Sequence, residues 1–395
     1  MNQRVKTFLK RGVMGALGLL VLVSVVLIAL GWRSFGQGAK GPRLERMTKS
    51  KQWDGAGFEN PEPLWNDTVG MLTGAMNKQP IGSPEQPLPV IRPDAALLAS
   101  APASGLRLTW FGHSSVLVDI DGVRVLTDPV WGERASPFDF TGPQRWYAPL
   151  IALEKLPKLD AVVISHDHYD HLDVASIDQL KGIVKRFVVP LGVGQHLAYW
   201  GVPEANIVEL DWWESHKLGA VTVTSTPARH ASGRQLLDQN DTLWSSYAFV
   251  GPKHRVYFSG DTGMTPAFKD IGERLGPFDV SMIEVGAYGA AWPDWHLGPE
   301  QAVRAHQLVG AKWMMPIHWG LMDLAYHNWT APVERTVTAA QRVGVKLLTP
   351  KPGQSVEPGV EATTQWWPSV PYEDAQADPI RAKGLPKGFE PMPVP

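Results

Sequence analysis

The segment "DAVVISHDHYDHLD", Asp160 to Asp173, constrains the fold more than any other part of the chain. Its first half is a short apolar run of the kind that forms a buried strand. Its second half presents His166, His168, Asp170 and His171 in the spacing H-x-H-x-D-H. In a loop leaving a strand, alternate residues can face one focus, while the adjacent Asp170 and His171 diverge enough to serve a second. The spacing therefore suits two metal ions better than one, and imidazole and carboxylate are donors that borderline ions such as zinc accept. One loop cannot close two sites, so the fold must bring further donors to the same place.

Three other strand ends offer them. "VTSTPARHAS" presents His230, "RVYFSGDTG" presents Asp261 in a Gly-flanked turn, and "WMMPIHWG" presents His318. Each alone reads as an ordinary structural residue; together they form an ordered ligand set. The chain has 0 cysteines, which excludes disulfides, thiolate ligands, iron-sulfur clusters and a cysteine nucleophile. Its formal charge of -2 gives no electrostatic footprint for nucleic acid.

The pattern along the chain points to two sheets flanked by helices. From Leu106, β-rich runs follow one another: "LRLTWFG", "SVLVDIDG", "VRVLTDPVW", "DAVVIS", "RFVVP", "NIVEL", "AVTVTST", "SSYAFV", "RVYFSG", "DVSMIEV" and "KWMMPIH". Asp121-Gly122 marks a hairpin turn. Helical patterns lie between some of them, most clearly "GPEQAVRAHQLVG", where Pro299 suits a first turn and Gly310 an end. "PVERTVTAAQRVG" is a further helix before a last strand, "VKLLTP".

Outside this region the chain changes character. Arg4, Lys6, Lys10 and Arg11 precede an uncharged apolar run from Gly12 to Trp32, which as a helix spans about 30 Å, the thickness of a bilayer core. The expectation is a single membrane anchor at 1–32, with a cleaved signal segment as the rival reading. The basic N-terminus would place the rest of the chain on the non-cytoplasmic side, although Arg33, Lys40, Arg43 and Arg46 follow the run. Residues 33–105 read as a Gly- and Pro-rich linker and extension, 106–350 as the catalytic domain, and 351–395 as a Pro-rich extended tail.

The series His166, His168, Asp170, His171, His230, Asp261 and His318 resembles the ligand set of the metallo-β-lactamase superfold. The resemblance implies a four-layer αβ/βα sandwich with two zinc ions at one edge: His166, His168 and His230 on the first, Asp170, His171 and His318 on the second, and Asp261 bridging. The blocks "LTWFGHSSVLVDIDGVRVLTDPVWGERASPFDFTGPQRW", "SHDHYDHLD", "GDTG", "HLGPEQAVRAH" and "PIHWG" are similar to the group of phospholipases D that hydrolyse N-acylphosphatidylethanolamine, from about Phe58 to Pro350.

That similarity implies a dizinc phosphodiesterase with a phospholipid substrate, cleaved to phosphatidic acid and an N-acylethanolamine; it does not include the anchor, and the expectation of a membrane tether rests on the apolar run Gly12 to Trp32. Two cations about 3.5 to 4 Å apart would supply a bridging hydroxide at neutral pH and stabilise charge at phosphorus. By family position, His296 in "DWHLGPE" is the candidate near the substrate phosphate, or else a cap for the helix beginning near Pro299. His113 and Asp128 are candidates to support the ligands from behind. Trp295 stands where the related group commonly has a polar residue, which bears on head-group or acyl preference. The competing readings are a dizinc hydrolase of a lactone, thioester or cyclic phosphodiester, and a non-catalytic scaffold. The 17 tryptophans, Trp292, Trp295 and Trp319 among them, suit either an acyl groove or core packing. The sequence leaves the oligomeric state open.

Overall fold

The computed structural model describes residues 3–235, 237–360, 363–387 and 389, with side chains from residue 11 onward. The first two residues of the N-terminal segment and the end of the tail, 390–395, lie outside these. The helices are α1 (Gln3–Gly31), α2 (Pro42–Met47), α3 (Thr68–Met76), α4 (Ala95–Ala99), α5 (Val174–Leu180), α6 (Val193–Tyr199), α7 (Ala267–Leu275), α8 (Pro299–Val309) and α9 (Ala331–Val343). The strands are β1 (Leu106–Trp110), β2 (Val116–Ile120), β3 (Val123–Thr127), β4 (Ala161–Val163), β5 (Phe187–Pro190), β6 (Ile207–Leu210), β7 (Ser215–Leu218), β8 (Val221–Thr226), β9 (Ser246–Val250), β10 (Arg255–Phe258), β11 (Phe278–Glu284), β12 (Ala311–Ile317), β13 (Lys346–Leu347) and β14 (Ser355–Val356).

Among the described residues the strands form two 7-stranded sheets, ordered β14-β1-β2-β3-β4-β5-β6 and β13-β12-β11-β10-β9-β8-β7. Each is mixed. β3 to β6 run parallel, as do β10 to β13, while β1 to β3 and β7 to β10 are antiparallel. The expected hairpin joins β2 to β3: Asp121 and Gly122 have φ of 48° and 83°, the left-handed pair that a type I′ turn requires.

The period-2 alternation of strands explains the layers. In β2, β3, β4 and β5, Val118, Val125, Val163 and Val188 face the second sheet and share one core with Val223, Phe249 and Met282. Their chain neighbours Leu117, Leu126, Val162 and Phe187 face outward, onto Ile177 and Leu180 of α5 and Val193 and Leu197 of α6. On the far side, Phe268 of α7, Val303 of α8 and Val333 of α9 close the second sheet. The result is helix, sheet, sheet, helix, the expected four-layer sandwich.

Strand direction then decides where the chemistry lies. β1, β3 and β4 point one way in the first sheet, and β8, β10, β11 and β12 share one direction in the second. The loops carrying His113, Asp128 and His166 to His171 leave the first sheet at one edge. Those carrying His230, Asp261 and His318 leave the second at the facing edge.

The segments around the sandwich are packed against it. Met47 and Phe58 lie buried with Leu191, Trp212 and Trp244. Beyond residue 350, β14 pairs with β1 through Leu108↔Val356, and Trp366 and Trp367 pack on Trp319. Arg229, 1% exposed, joins both ends of the chain, bonding to the carbonyls of Glu62 (3.2 Å) and Lys383 (2.8 Å) and to buried Asp294 (2.9 Å). Replacing Arg229 by alanine leaves Asp294 without its cation, and should cost about 3 to 5 kcal/mol in denaturant unfolding.

In α1, the 21 residues Arg11–Gly31 contain an 18-residue window of mean hydropathy 2.9, of which 0% is buried in the protein. By length and composition it can cross a membrane, and a signal sequence passes the same test. The residues after it hold to the sandwich. Arg33 pairs with Asp178 at 2.5 Å, Trp200 donates to the Arg33 carbonyl at 2.8 Å, and Arg234 donates to the Ser34 carbonyl at 2.8 Å.

Candidate metal centre

The backbone around the candidate ligands is bent in a way that few other positions are. His113, Asp128 and His318 all adopt left-handed φ, 53°, 33° and 64°. Side chains rarely take that conformation, and such strain concentrates at functional sites. Gly286 permits a close approach, because a Cβ there would collide with the His318 carbonyl oxygen.

The structure brings the seven candidate ligands together. His166, His168 and His230 form one group in which each can offer an atom within 4.8 Å of the others, and Asp170, His171 and His318, joined by His113, form a second. His168 Nδ1 stands 2.8 Å from His166 Nε2 and 3.3 Å from His230 Nε2. Asp261 lies between the groups: its Oδ2 is 2.9 Å from His318 Nε2 and 3.0 Å from His171 Nε2, against 3.8 Å from His230 Nε2 and 3.9 Å from His166 Nε2.

Partners behind the imidazoles set which nitrogen faces inward. His230 Nδ1 donates to the Trp295 carbonyl at 2.8 Å, leaving Nε2 for the centre. His171 Nδ1 meets Asp128 Oδ2 at 2.6 Å. Asp128 is fixed in turn by the Ser165 amide at 2.7 Å and hydroxyl at 2.6 Å. Asn at position 128 cannot serve three donors with one oxygen, so Asp128→Asn should weaken metal affinity roughly 10- to 100-fold in chelator competition. His113 bonds Asp170 Oδ2 at 3.2 Å and packs its ring 4.1 Å from that of His318.

Asp167 and Tyr169 face elsewhere. Asp167 accepts from the Gly233 amide (2.7 Å) and the Thr242 hydroxyl (2.9 Å), and Tyr169 donates to the Arg234 carbonyl (2.6 Å).

Electrostatics divide the centre. Burial and the neighbouring imidazoles of His171, His168 and His230 hold His166 well below its ordinary pKa, so it is a neutral donor. Burial alone would also lower His318, but the carboxylates of Asp261 and Asp170 outweigh it and raise His318 to about 10. Buried Asp261 and half-buried Asp170 thus make this half a strong attractor of positive charge. His171 Nε2, His318 Nε2 and Asp261 Oδ1 are buried without a hydrogen bond, although buried polar atoms normally have one. Orphaned nitrogen and oxygen atoms converging with no sulfur donor are what a borderline divalent cation requires.

His296 is not the cap of α8; that helix begins at Pro299 with Gly298 as its N-cap. Its Nδ1 instead bonds Glu284 Oε2 at 2.8 Å and lies 3.8 Å from Asp261 Oδ2. Glu284 was not among the sequence candidates. It ends β11, is fully buried, accepts from the amides of Thr262 (2.7 Å) and Leu297 (3.1 Å), and has Oε2 4.0 Å from the unpartnered Nδ1 of His318. Burial pushes its carboxyl up, partly offset by His296. A lone acid ending an apolar strand beside the other ligand-bearing strand ends was the available signal.

The groups open on a cavity of about 280 Å3 lined by His168, Asp170, Asp261, His296 and His318 on the polar side and by Met71, Trp292, Trp295 and Leu324 on the apolar side. Trp295 also lies edge-on to His230, 5.8 Å between ring centres.

A "Beta-lactamase superfamily domain" model matches residues 123–319. An uncharacterized protein of Mycobacterium tuberculosis is 52% identical over 289 residues, covering 72% of this chain and 77% of that protein. The chain belongs to the metallo-β-lactamase superfamily. It is similar to the N-acyl-phosphatidylethanolamine-hydrolyzing phospholipase D 1 of Caenorhabditis elegans, 44% identical over 230 residues, which span 55% of this chain and 64% of that enzyme. Among solved structures, the isothiocyanate hydrolase of Delia radicum gut bacteria shares the fold, with a TM-score of 0.51 at 20% identity over 64% of this chain and 98% of that one. As a member of this superfamily, with His/Asp clusters able to bind metal, the protein is a metal-dependent hydrolase.

Proposed function

We propose that the protein is a membrane-tethered dizinc phosphodiesterase that hydrolyses N-acylphosphatidylethanolamine-like phospholipids to phosphatidic acid and N-acylethanolamine. The observation that carries this reading is the cavity on which His168 of one ligand group, Asp170 and His318 of the other, Asp261, His296 and an apolar wall of Met71, Trp292, Trp295 and Leu324 converge. The similarity to the nematode enzyme supports the substrate class.

In this reading His166, His168 and His230 would hold one ion and Asp170, His171 and His318 the other, with Asp261 lying between the two groups. Two zinc ions, when bound, would bring the ionisation of water towards neutrality and draw a phosphodiester's oxygens into the site. The chain's own residues do the rest. Asp128 and the Trp295 carbonyl fix the ring orientations of His171 and His230. A water oxygen gives up one proton to solvent and bonds to phosphorus, the bond from phosphorus to the ethanolamine oxygen breaks, and the imidazole that protonates the leaving oxygen regains its proton from solvent. His296, its Nδ1 on Glu284, protonates that leaving oxygen from the other ring nitrogen. Trp292, Trp295 and Met71 exclude water and receive apolar substrate surface.

The catalytic unit is assigned to residues 106–350, and residues 1–32 to a single-pass anchor with the sandwich on the non-cytoplasmic side. Mixed micelles of N-acylphosphatidylethanolamine test the reading. Release of phosphatidic acid by the zinc-loaded protein is expected; no release, while a lactone or thioester is turned over, would overturn it.

A further inference from the structure

We propose that the outward face of α3 is an interfacial docking surface that seats the mouth of the metal cavity on the acyl region of a lipid bilayer. The proposal rests on the lipid-hydrolase reading above and adds how the site reaches its substrate.

The two faces of α3 differ. Its inward face is thinned by glycine: Gly70 lies close to Ala291, Gly74 lies close to the Tyr326 ring, and Met71 between them lines the metal cavity. The helix thus rests on the rim of the site. On the outward face Val69 is 69% exposed, Leu72 67% and Met76 85%, and Trp65 just before the helix is 41% exposed. Spacings of three and four place Val69, Leu72 and Met76 in one stripe. Thr68–Met76 contains no charged residue, and no residue of the helix is buried. Single exposed apolar residues are ordinary, but a contiguous stripe at the mouth of a site marks an interaction surface.

Other residues of the same edge argue for a bilayer rather than a protein partner. Leu237, 97% exposed, tips the loop that follows His230. Phe140, 62% exposed, stacks on Phe138, which meets Phe35 just past α1. The anchor ends here too: Arg234 holds the Ser34 carbonyl at 2.8 Å, and its Nη1 donates to the carbonyls of Asp167 (2.6 Å) and Leu172 (2.9 Å) in the metal loop. A chain held in a bilayer by α1 therefore brings this edge, with its apolar tips, against the membrane surface.

With 0 cysteines in the chain, one introduced thiol gives a unique label. The full chain in nanodiscs, carrying an environment-sensitive fluorophore at Val69→Cys, Leu72→Cys or Met76→Cys, should be quenched by acyl-chain spin-labelled lipid. The same label at Lys253→Cys, in the β9–β10 turn at the opposite end of the strands, should not. Equal quenching at 72 and 253 would overturn the docking surface. Separately, Leu72→Asp should lower turnover of bilayer lipid about tenfold while sparing a soluble short-chain analogue; equal loss on both would also overturn it. Quenching at α3 without hydrolysis of any phospholipid would leave the docking surface standing and remove the proposed substrate.

Discussion

Asp261→Asn is expected to lower turnover roughly 1000-fold, because with two ions bound as proposed about 4 kcal/mol of charge stabilisation would depend on holding both. The geometry gives this residue its weight. Its Oδ2 is within 3.0 Å of two imidazoles of one ligand group and within 3.9 Å of two of the other, so it is the atom common to both. Asparagine keeps the volume and loses the charge, and its amide nitrogen would present hydrogens to a focus built to receive a cation. Elemental analysis should show fewer than two zinc ions per chain after dialysis, with the His166, His168 and His230 group the better retained, since Asp261 Oδ2 lies 3.9 and 3.8 Å from His166 and His230 but 3.0 and 2.9 Å from His171 and His318. Two ions retained at full occupancy would remove Asp261 from the bridging role proposed for it.

The candidate ligand set was legible because each candidate follows an apolar strand, and mixed sheets with parallel strands send those ends to a common edge. His166 after β4, His230 after β8 and His318 after β12 are of this kind. What lay hidden had other causes. Glu284 belongs by sequence to the strand "DVSMIEV", and only the parallel pairing Glu284↔Ile317 shows that it ends beside His318. α3 carries glycine at two of nine positions, and lacks the polar face that makes an amphipathic helix readable. β7, "SHKL", is an edge strand with one apolar residue, Leu218, too few to show an apolar alternation in the sequence. Trp366 and Trp367 sit in an unpatterned stretch, and their burial against Trp319 comes from tertiary contact that no local periodicity announces.

His296→Ala should reduce kcat roughly 100- to 10,000-fold, the range for loss of a positioned proton donor, with both metal ions kept. Retention of metal is what separates it from Asp261→Asn, because His296 is tied to Glu284 at 2.8 Å and stands 3.8 Å from Asp261. Glu284→Gln should then act largely through His296. One glutamine oxygen would have to satisfy Thr262, Leu297 and His296 together, where the carboxylate now serves the two amides with Oε1 and the ring with Oε2. Its amide hydrogens would oppose one of those donors, and the imidazole would lose its orientation and its counter-charge. A double variant distinguishes this from a purely structural effect. If Glu284 positions His296, adding Glu284→Gln to His296→Ala costs little further in kcat, whereas independent roles would multiply the two losses. A leaving group that needs no proton, such as a nitrophenolate, should restore much of the activity of both single variants, and failure of that rescue would remove His296 from the protonation step.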